Sequence, residues 1–145
     1  MKIKNLLFNV SRNLTLENLG LLLFRAFAGL SMITHGYPKF RKIIANDLTF
    51  PDPIGMGPAL SLYSVTFAEL ICAALLTIGL FSRLSTLPLI FAMSVAAFVH
   101  HAPDPYAQKE LALLYLAAYV ILLITGPGKI SLDALITKKT SKSTN

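Results

Sequence analysis

The sequence is short of charged residues and contains a single cysteine. Only 14% of its 145 residues are charged, whereas a soluble domain usually has about a quarter. Hydrophobic residues make up 54%, and the mean hydropathy is +0.64. Because one cysteine cannot form an internal disulfide or run dithiol exchange alone, a quinone-linked disulfide-forming enzyme is disfavoured. We interpret Cys72 as a small packing residue.

Several motifs that would indicate a soluble enzyme are also absent. There is no phosphate-binding loop, GxGxxG or GxSxG, which leaves nucleotide-driven and hydrolase mechanisms unsupported. No linker or low-complexity tract divides the chain, so we expect one domain over residues 1–145. The net charge of +6 arises mainly in the tails and connections. That placement is typical of membrane topology, and we expect no nucleic-acid partner.

What the chain has instead is a series of long apolar runs. Each is about seventeen to twenty-three residues long, near the ~20 needed to cross a bilayer. The first run begins near Leu19 and contains Arg25, so we interpret it as a retained helix and not a signal peptide. The sequence predicts an all-α, polytopic membrane protein folded as an antiparallel bundle of four transmembrane helices. Their predicted ranges are about 19–37, 59–81, 85–101 and 109–125.

The connections carry their own signals. Residues 50–58 are dense in Pro and Gly, which predicts an irregular segment over one mouth of the bundle. Pro88 is expected in the first turn of the third helix, where a missing N–H is harmless. Ser131 is expected to cap a short tail helix that ends in Lys138 and Lys139.

The distribution of Lys and Arg predicts the orientation. The N-tail, second connection and C-tail together carry eight, while the opposite side carries four, namely Lys39, Arg41, Lys42 and Lys109. The positive-inside rule therefore places both termini in the cytoplasm. The first eighteen residues form either an amphipathic surface segment or a loose tail.

Two ionisable residues fall well inside the spans. At ~1.5 Å of rise per residue, Arg25 lies about 4 to 5 Å from the midpoint of the first helix and Glu69 within ~2 Å of the midpoint of the second. Gly29, Met32 and Gly36 share the helical face of Arg25, which favours an inward orientation. We predict a structural Arg25–Glu69 ion pair, and a proton or substrate site is the alternative.

A second polar level lies nearer the outside. His35, His100 and Glu110 each sit roughly 10 Å outward of their helix midpoints. They could bind a metal, relay protons, contact a quinone headgroup or simply anchor helix ends. No HxxxH or ExxH spacing demands a metal, so no metal centre is predicted. A bis-histidine haem between His35 and either His100 or His101 remains an alternative.

Four segments together resemble the DoxX family, and the resemblance covers nearly the whole chain. The segments are FRAFAGLSMITHGYPKF (24–40), FAELICAALLTIGLFSRL (67–84), VHH (99–101) and ELALLYLAAYVILLITGPGKISLD (110–133). The matching positions are Arg25, His35, Gly36, Lys39, Glu69, Gly79, Arg83, His100, Glu110, Tyr115, Gly126, Gly128, Ser131 and Asp133. The resemblance implies a four-helix protein of the prokaryotic inner membrane, with relatives in a thiosulfate:quinone oxidoreductase and other membrane oxidoreductase assemblies.

The residues and the resemblance together suggest a hypothesis for function. The chain would be a membrane component of a redox system whose polar interior holds a quinone-like or small anionic ligand. Arg25 would attract the anion and a histidine would exchange protons. The candidate interior consists of Arg25, His35, Lys39, Glu69, His100 and Glu110.

The expected partners are the lipid bilayer and membrane or periplasmic redox subunits, with a homo-oligomer as a further option. A non-catalytic scaffold or assembly factor is the alternative function. Small-solute transport is a third, which the short chain disfavours unless an oligomer completes the pathway.

Overall fold

The computed structural model describes residues 14–143, and this part of the chain is helical without strands. Four helices are long and apolar enough to cross a membrane. The predicted fold class, an all-α bundle of four membrane-spanning helices, is confirmed. The helices are α1 (Leu14–Ile44), α2 (Pro58–Ile78), α3 (Ser82–His100), α4 (Tyr106–Thr125) and the shorter α5 (Leu132–Ser143).

The core lies where α1 packs on α2 and α3 packs on α4. Its members are mostly small or aliphatic side chains with little exposed surface, among them Ala28, Met32, Ala73, Leu76, Leu89 and Leu122. Most large apolar side chains instead point outward, as lipid-facing residues do. Phe27, Phe91 and Ile124 are examples, each more than half exposed.

Helix α1 is longer than predicted at both ends. The prediction ended it at residue 37 because Pro38 follows, but Pro38 stands inside the helix. Proline removes one backbone N–H, a loss that neighbouring helices often compensate in membrane proteins. As a consequence Lys39 belongs to the transmembrane helix and not to a connection.

The turn between α2 and α3 also differs from the prediction. Helix α2 ends at Ile78 because Gly79 adopts a left-handed conformation, with φ of 73°. Helix α3 then begins at Ser82, three residues earlier than expected. Pro88 therefore lies in the second turn of α3, and its predicted place in the first turn is wrong. The antiparallel arrangement of the two helices is as predicted.

Two short segments of π-helix interrupt the spans. One covers Phe67–Cys72 in α2 and the other covers Ala96–His100 at the end of α3. They are recognised by i to i+5 hydrogen bonds, such as the one that the His101 N–H donates to the Ala96 carbonyl at 2.9 Å. Segments of this kind are frequent at functional sites. Glu69 and His100 each lie in one of them.

The start of the tail helix confirms another prediction, although the helix continues to Ser143 and does not end at Lys138 and Lys139. The Ser131 hydroxyl accepts a hydrogen bond from the Ala134 N–H at 3.2 Å, which is the expected N-cap of α5. The N-terminal segment of eighteen residues lies mostly outside the described part of the chain, which begins with α1 at Leu14.

Candidate functional site

A stripe of residues along α1 organises the polar interior. Arg25, Gly29, Met32, Gly36 and Lys39 follow one another at spacings of three and four, so they share one helical face. The two cations stand at the ends of this stripe, about 21 Å apart along the helix axis. The glycines between them let α2 approach closely. A Cβ on Gly36 would lie 2.8 Å from the Glu69 carbonyl carbon.

At one end of the stripe, the Arg25 guanidinium is hydrogen-bonded to backbone carbonyls. Its side chain is buried, with 1% exposed. It donates hydrogen bonds to the carbonyl oxygens of Thr77 (3.4 Å), Ile130 (3.0 Å) and Pro127. These carbonyls belong to the end of α2 and to the connection between α4 and α5. Arg25 therefore ties three parts of the chain together.

Gly79 and Asp133 complete this group, which we call the Arg25 cluster (Arg25, Gly79, Ser131 and Asp133). A Cβ on Gly79 would lie 2.8 Å from the Arg25 guanidinium carbon, so only glycine fits. The Asp133 carboxylate accepts hydrogen bonds from the N–H groups of Phe81 (2.8 Å) and Ser82 (2.9 Å), at the start of α3. Burial alone would raise the pKa of Asp133, but these bonds and the Arg25 charge lower it overall.

The predicted Arg25–Glu69 ion pair is wrong, because Glu69 pairs with Lys39 instead. The depth estimate placed Lys39 beyond the end of the helix and so left Arg25 as the nearest cation. In the structure Arg25 lies beside Thr77, two turns of α2 away from Glu69. A cation that already donates to three carbonyls is also poorly placed to attract a soluble anion.

The Lys39–Glu69 pair lies at the other end of the stripe. The Glu69 side chain is almost completely buried, with 5% exposed, whereas 22% of the Lys39 side chain is exposed. The Lys39 ammonium also donates to the carbonyl of His35 at 3.3 Å. A buried carboxylate requires a partner of this kind, since leaving it uncompensated is costly.

This pair borders a cavity of about 760 Å³. We call it the Lys39–Glu69 cavity. Its size is within the range usual for small-molecule sites, and such sites are mostly apolar with a few convergent polar groups. Its lining includes the charged pair Lys39 and Glu69 and the two histidines His100 and His101, and α2 and α3 supply most of the apolar wall. That wall includes Val65, Phe67, Ala68, Phe91, Ala92 and Ala96.

The irregular connection 50–58 covers this cavity, as predicted for one mouth of the bundle. Phe50, Ile54 and Met56 contribute to the lining. Asp52 holds the connection in place by accepting bonds from the Gly57 N–H (2.7 Å) and the Ser61 hydroxyl (2.8 Å). The Ser61 hydrogen bond is the main reason that the pKa of Asp52 lies below its usual value.

Two adjacent histidines line the same cavity. The rings of His100 and His101 contact each other edge to face, with centroids 4.6 Å apart. His101 Nδ1 lies 2.7 Å from a carboxylate oxygen of Asp104. Because Nδ1 is engaged, Nε2 is the ring nitrogen of His101 that is left for a ligand or a proton.

Two predicted members of the outer polar level do not line the cavity. His35 instead packs against Tyr115, with ring centroids 5.9 Å apart, and Tyr115 stacks on the buried Tyr119. Glu110 is exposed on α4. Of the six candidate residues, the structure thus brings Lys39, Glu69 and His100 to one cavity and places Arg25, His35 and Glu110 elsewhere.

The structure also adds residues to the six candidates, among them His101, which the sequence indicated only as an alternative haem ligand. His101 and Asp104 form a pair at the cavity, and Asp52 anchors the segment that covers it. The spacing of His101 and Asp104 was a usable signal, since residues three apart on a turn often meet. Residues 14–143 contain no group of three His, Cys, Asp or Glu side chains suited to hold a metal ion.

Comparisons with known proteins agree with the resemblance. The sequence model of the DoxX family matches residues 20–102, more than half of the chain. A Haemophilus influenzae protein, described as an uncharacterized protein, is 37% identical over 94 residues, which cover 61% of this chain and 62% of that protein. This chain thus spans about three fifths of that relative's length. No solved structure matches. The family match and the four spans together show that the chain belongs to the DoxX family.

Proposed function

We propose that this DoxX-family membrane protein is the ligand-binding component of a membrane redox system, and that the Lys39–Glu69 cavity takes a quinone-like molecule. The observation that carries the proposal is the composition of that cavity. A mostly apolar space of about 760 Å³ ends at a buried ion pair and two histidines. A quinone has the matching form, with an apolar tail and a flat head that carries two hydrogen-bond acceptors.

The position of the cavity within the bundle supports this choice of ligand. Phe67 and Phe91 line it and are also about half exposed on the outer surface of the bundle. An apolar tail could therefore extend between α2 and α3 toward the lipid. The Lys39 ammonium would donate to the head. Because the Asp104 carboxylate accepts from Nδ1–H of His101, Nε2 is an acceptor in the neutral ring and would donate to the head only from the imidazolium, which would then supply that proton.

A small anion fits the cavity less well than a neutral head. Glu69 already compensates the charge of Lys39, and its carboxylate is buried beside the ammonium. An anion that reached Lys39 would have to displace Glu69, leaving an uncompensated carboxylate in the interior. Of the two ligands in the hypothesis, the cavity therefore favours the quinone-like molecule over the small anion.

Electrons would come from a redox subunit that docks on the membrane or its periplasmic side, since side chains alone do not carry two-electron reduction. In this proposal the chain resides in the prokaryotic inner membrane with both termini in the cytoplasm. The excess of Lys and Arg in the tails supports that orientation.

Binding of a short-tailed benzoquinone to the purified protein tests the proposal. Glu69→Gln and His101→Ala should each weaken binding about tenfold, because each removes one polar contact of about 1.4 kcal/mol or its orienting partner. Isothermal titration in detergent gives the dissociation constants. Asp47→Asn removes one carboxylate from the surface connection outside the cavity and should bind as the unmodified protein does.

Equal affinity in Glu69→Gln, His101→Ala and the unmodified protein would contradict the proposal. So would saturable binding to a variant whose cavity has been filled by Ala96→Phe. Ala96→Phe is informative because it blocks the cavity without changing an ionisable group.

The scaffold alternative is favoured by one observation, the Arg25 cluster. All three described hydrogen bonds of the Arg25 side chain go to backbone carbonyls, which is the behaviour of a structural lock. If the whole polar interior served only as a lock, the cavity variants would lower protein abundance or recovery of a partner subunit. They would then have no separate effect on ligand affinity.

A further inference from the structure

A second cleft lies at the opposite end of the bundle from the Lys39–Glu69 cavity. We call it the Arg83 cleft; its volume is about 610 Å³. The first turn of α3 forms one wall, the connection after α4 forms another, and α5 closes the third. Its lining includes Phe81, Arg83, Leu84, Pro127, Asp133 and Lys138.

The cleft carries an excess of positive charge. Arg83 and Lys138 are its two cations, and Asp133 is the carboxylate among the lining residues. Among the described residues, Asp133 forms no ion pair with Arg83 or Lys138, and its oxygens accept from the N–H groups of Phe81 and Ser82. Its charge also lies near that of Arg25. The charges of Arg83 and Lys138 are therefore available to bind an external anion.

The Arg83 side chain is held in place for such a role. A guanidinium nitrogen lies 3.4 Å from the Ile124 carbonyl, at the end of α4. The same group passes over Gly126, where a Cβ would come within 3.4 Å of it. Among the residues that the structure describes, Arg83 makes no ion pair with a carboxylate. Its planar set of donors suits phosphate oxygens.

The cleft opens at the ends of the apolar spans, where a bilayer would place its lipid headgroups. It lies where α2 and α4 end and α3 begins, which are the ends of membrane spans. Phe81 and Leu84 on its rim are 59% and 64% exposed. In α5, Leu132, Leu135 and Ile136 are exposed at spacings of three and four, an apolar face suited to the membrane interface.

From these observations we propose that the Arg83 cleft binds the phosphate of an anionic phospholipid, with the acyl chains passing over Phe81 and Leu84. This site is separate from the quinone-like ligand of the other cavity and does not depend on it. A lipid is favoured over a soluble phosphate because the cations stand next to exposed apolar side chains at the membrane surface.

Lipid competition measured by native mass spectrometry tests the proposal. The protein is purified in detergent with equal amounts of dioleoyl-phosphatidylglycerol and dioleoyl-phosphatidylcholine, and the ratio of the two bound lipids is recorded. The unmodified protein should retain the anionic lipid preferentially. In the double variant Arg83→Gln/Lys138→Gln, the ratio of bound anionic lipid to bound zwitterionic lipid should fall about 25-fold, or about fivefold for each cation.

The matched control removes two positive charges from the opposite end of the bundle. Arg41→Gln/Lys109→Gln should keep the preference of the unmodified protein, because neither residue lines the cleft. Lys138→Gln alone serves if the double variant does not fold, since this side chain is exposed near the end of the chain. It should lose about fivefold.

Three outcomes would overturn the proposal. The first is an unmodified protein with no preference for the anionic lipid. The second is an equal loss in the control variant, which would show attraction to net charge and not to a site. The third is complete displacement of the lipid by excess inorganic phosphate, which would make the site one for soluble phosphates.

Discussion

The Arg25 cluster and the Lys39–Glu69 cavity stand at the two ends of one helical stripe, yet they use charge in opposite ways. Arg25 donates to three backbone carbonyls and lines neither of the two described cavities. Lys39 has a single carboxylate partner and a cavity beside it. The first arrangement stabilises the bundle, and the second leaves polar groups within reach of a ligand.

The comparison teaches that a buried charge in a membrane span is not by itself a site. Both cations satisfy the general expectation that such residues face the bundle interior. What distinguishes them is the backbone around them. Regular α-helix and tight glycine turns surround Arg25, whereas a π-helical segment carries Glu69 beside Lys39. The following predictions test this distinction, from the largest expected effect to the smallest.

Arg25→Leu should destabilise the protein most. It leaves the carbonyls of Thr77, Pro127 and Ile130 without a donor in an environment that excludes water. We expect a loss of about 3–5 kcal/mol in the free energy of unfolding. Unfolding by SDS in mixed micelles measures it. Arg41→Leu, at the exposed end of α1, should change the value little. A loss below about 1 kcal/mol for Arg25→Leu would contradict the structural role.

Lys39→Met should cost less, about 2–3 kcal/mol, since Lys39 is partly exposed while Glu69 is left buried without a cation. The double variant Lys39→Met/Glu69→Gln should be more stable than Lys39→Met alone, because the uncompensated carboxylate is gone. A double-mutant cycle on the same unfolding assay gives the coupling. Additive losses in the two single variants would show that the pair does not interact.

Gly36→Ala should destabilise the contact between α1 and α2 by about 1–2 kcal/mol, because the new methyl group meets the backbone of Glu69 and Leu70. Gly20→Ala is the matched control on the same helix, where no atom lies within 4 Å of the new Cβ. It should raise stability slightly, since alanine favours the helix. Thermal unfolding of both variants in the same detergent makes the comparison. Equal effects would mean that the close approach at Gly36 is not required.

Asp133→Ala should have the smallest effect, about 1 kcal/mol at neutral pH, because it removes an acceptor for two N–H groups at the start of α3. The pKa of Asp133 is lowered in the folded protein. Its contribution is therefore full above the unfolded pKa of about 3.9 and is lost as the pH falls through the lower folded value.

Unfolding measured from neutral pH down to about pH 3 shows that dependence. The difference between Asp133→Ala and the unmodified protein should shrink only in the acidic range. A difference that stays constant over the whole range would show that the carboxylate charge plays no part.

The four spans could be predicted from the sequence because each is a long apolar run, and lipid permits little else than a helix. The ends of these helices were harder to predict. Pro38 indicated an exit from the membrane, but the helix continues to Ile44 because proline is tolerated in a packed span. Gly79 could have indicated the true end of α2, since glycine commonly ends helices in the left-handed conformation.

The depth of the site residues along their helices could be predicted, but the direction of their side chains around the helix axes could not. His35, His100 and Glu110 were placed at a common depth, yet only His100 lines the cavity. Residue spacing gives the rise along a helix accurately, but the orientation around the axis depends on how the helices pack. The π-helical segments add to the difficulty, because each changes the direction of the residues that precede it without leaving a mark in the hydropathy pattern.

Those two segments also have a consequence for insertions and deletions. A π-helical segment is commonly an α-helix with one residue added, and one residue corresponds to about 100° of rotation. Deleting a residue from Phe67–Cys72 would restore a regular helix and turn the first half of α2 by that angle. Ser61 and Ser64 would then turn away from the cavity, although α2 would be only one residue shorter. The shape of the Lys39–Glu69 cavity thus depends on the number of residues in this segment, and a relative that is one residue shorter here would have the same fold with a different interior.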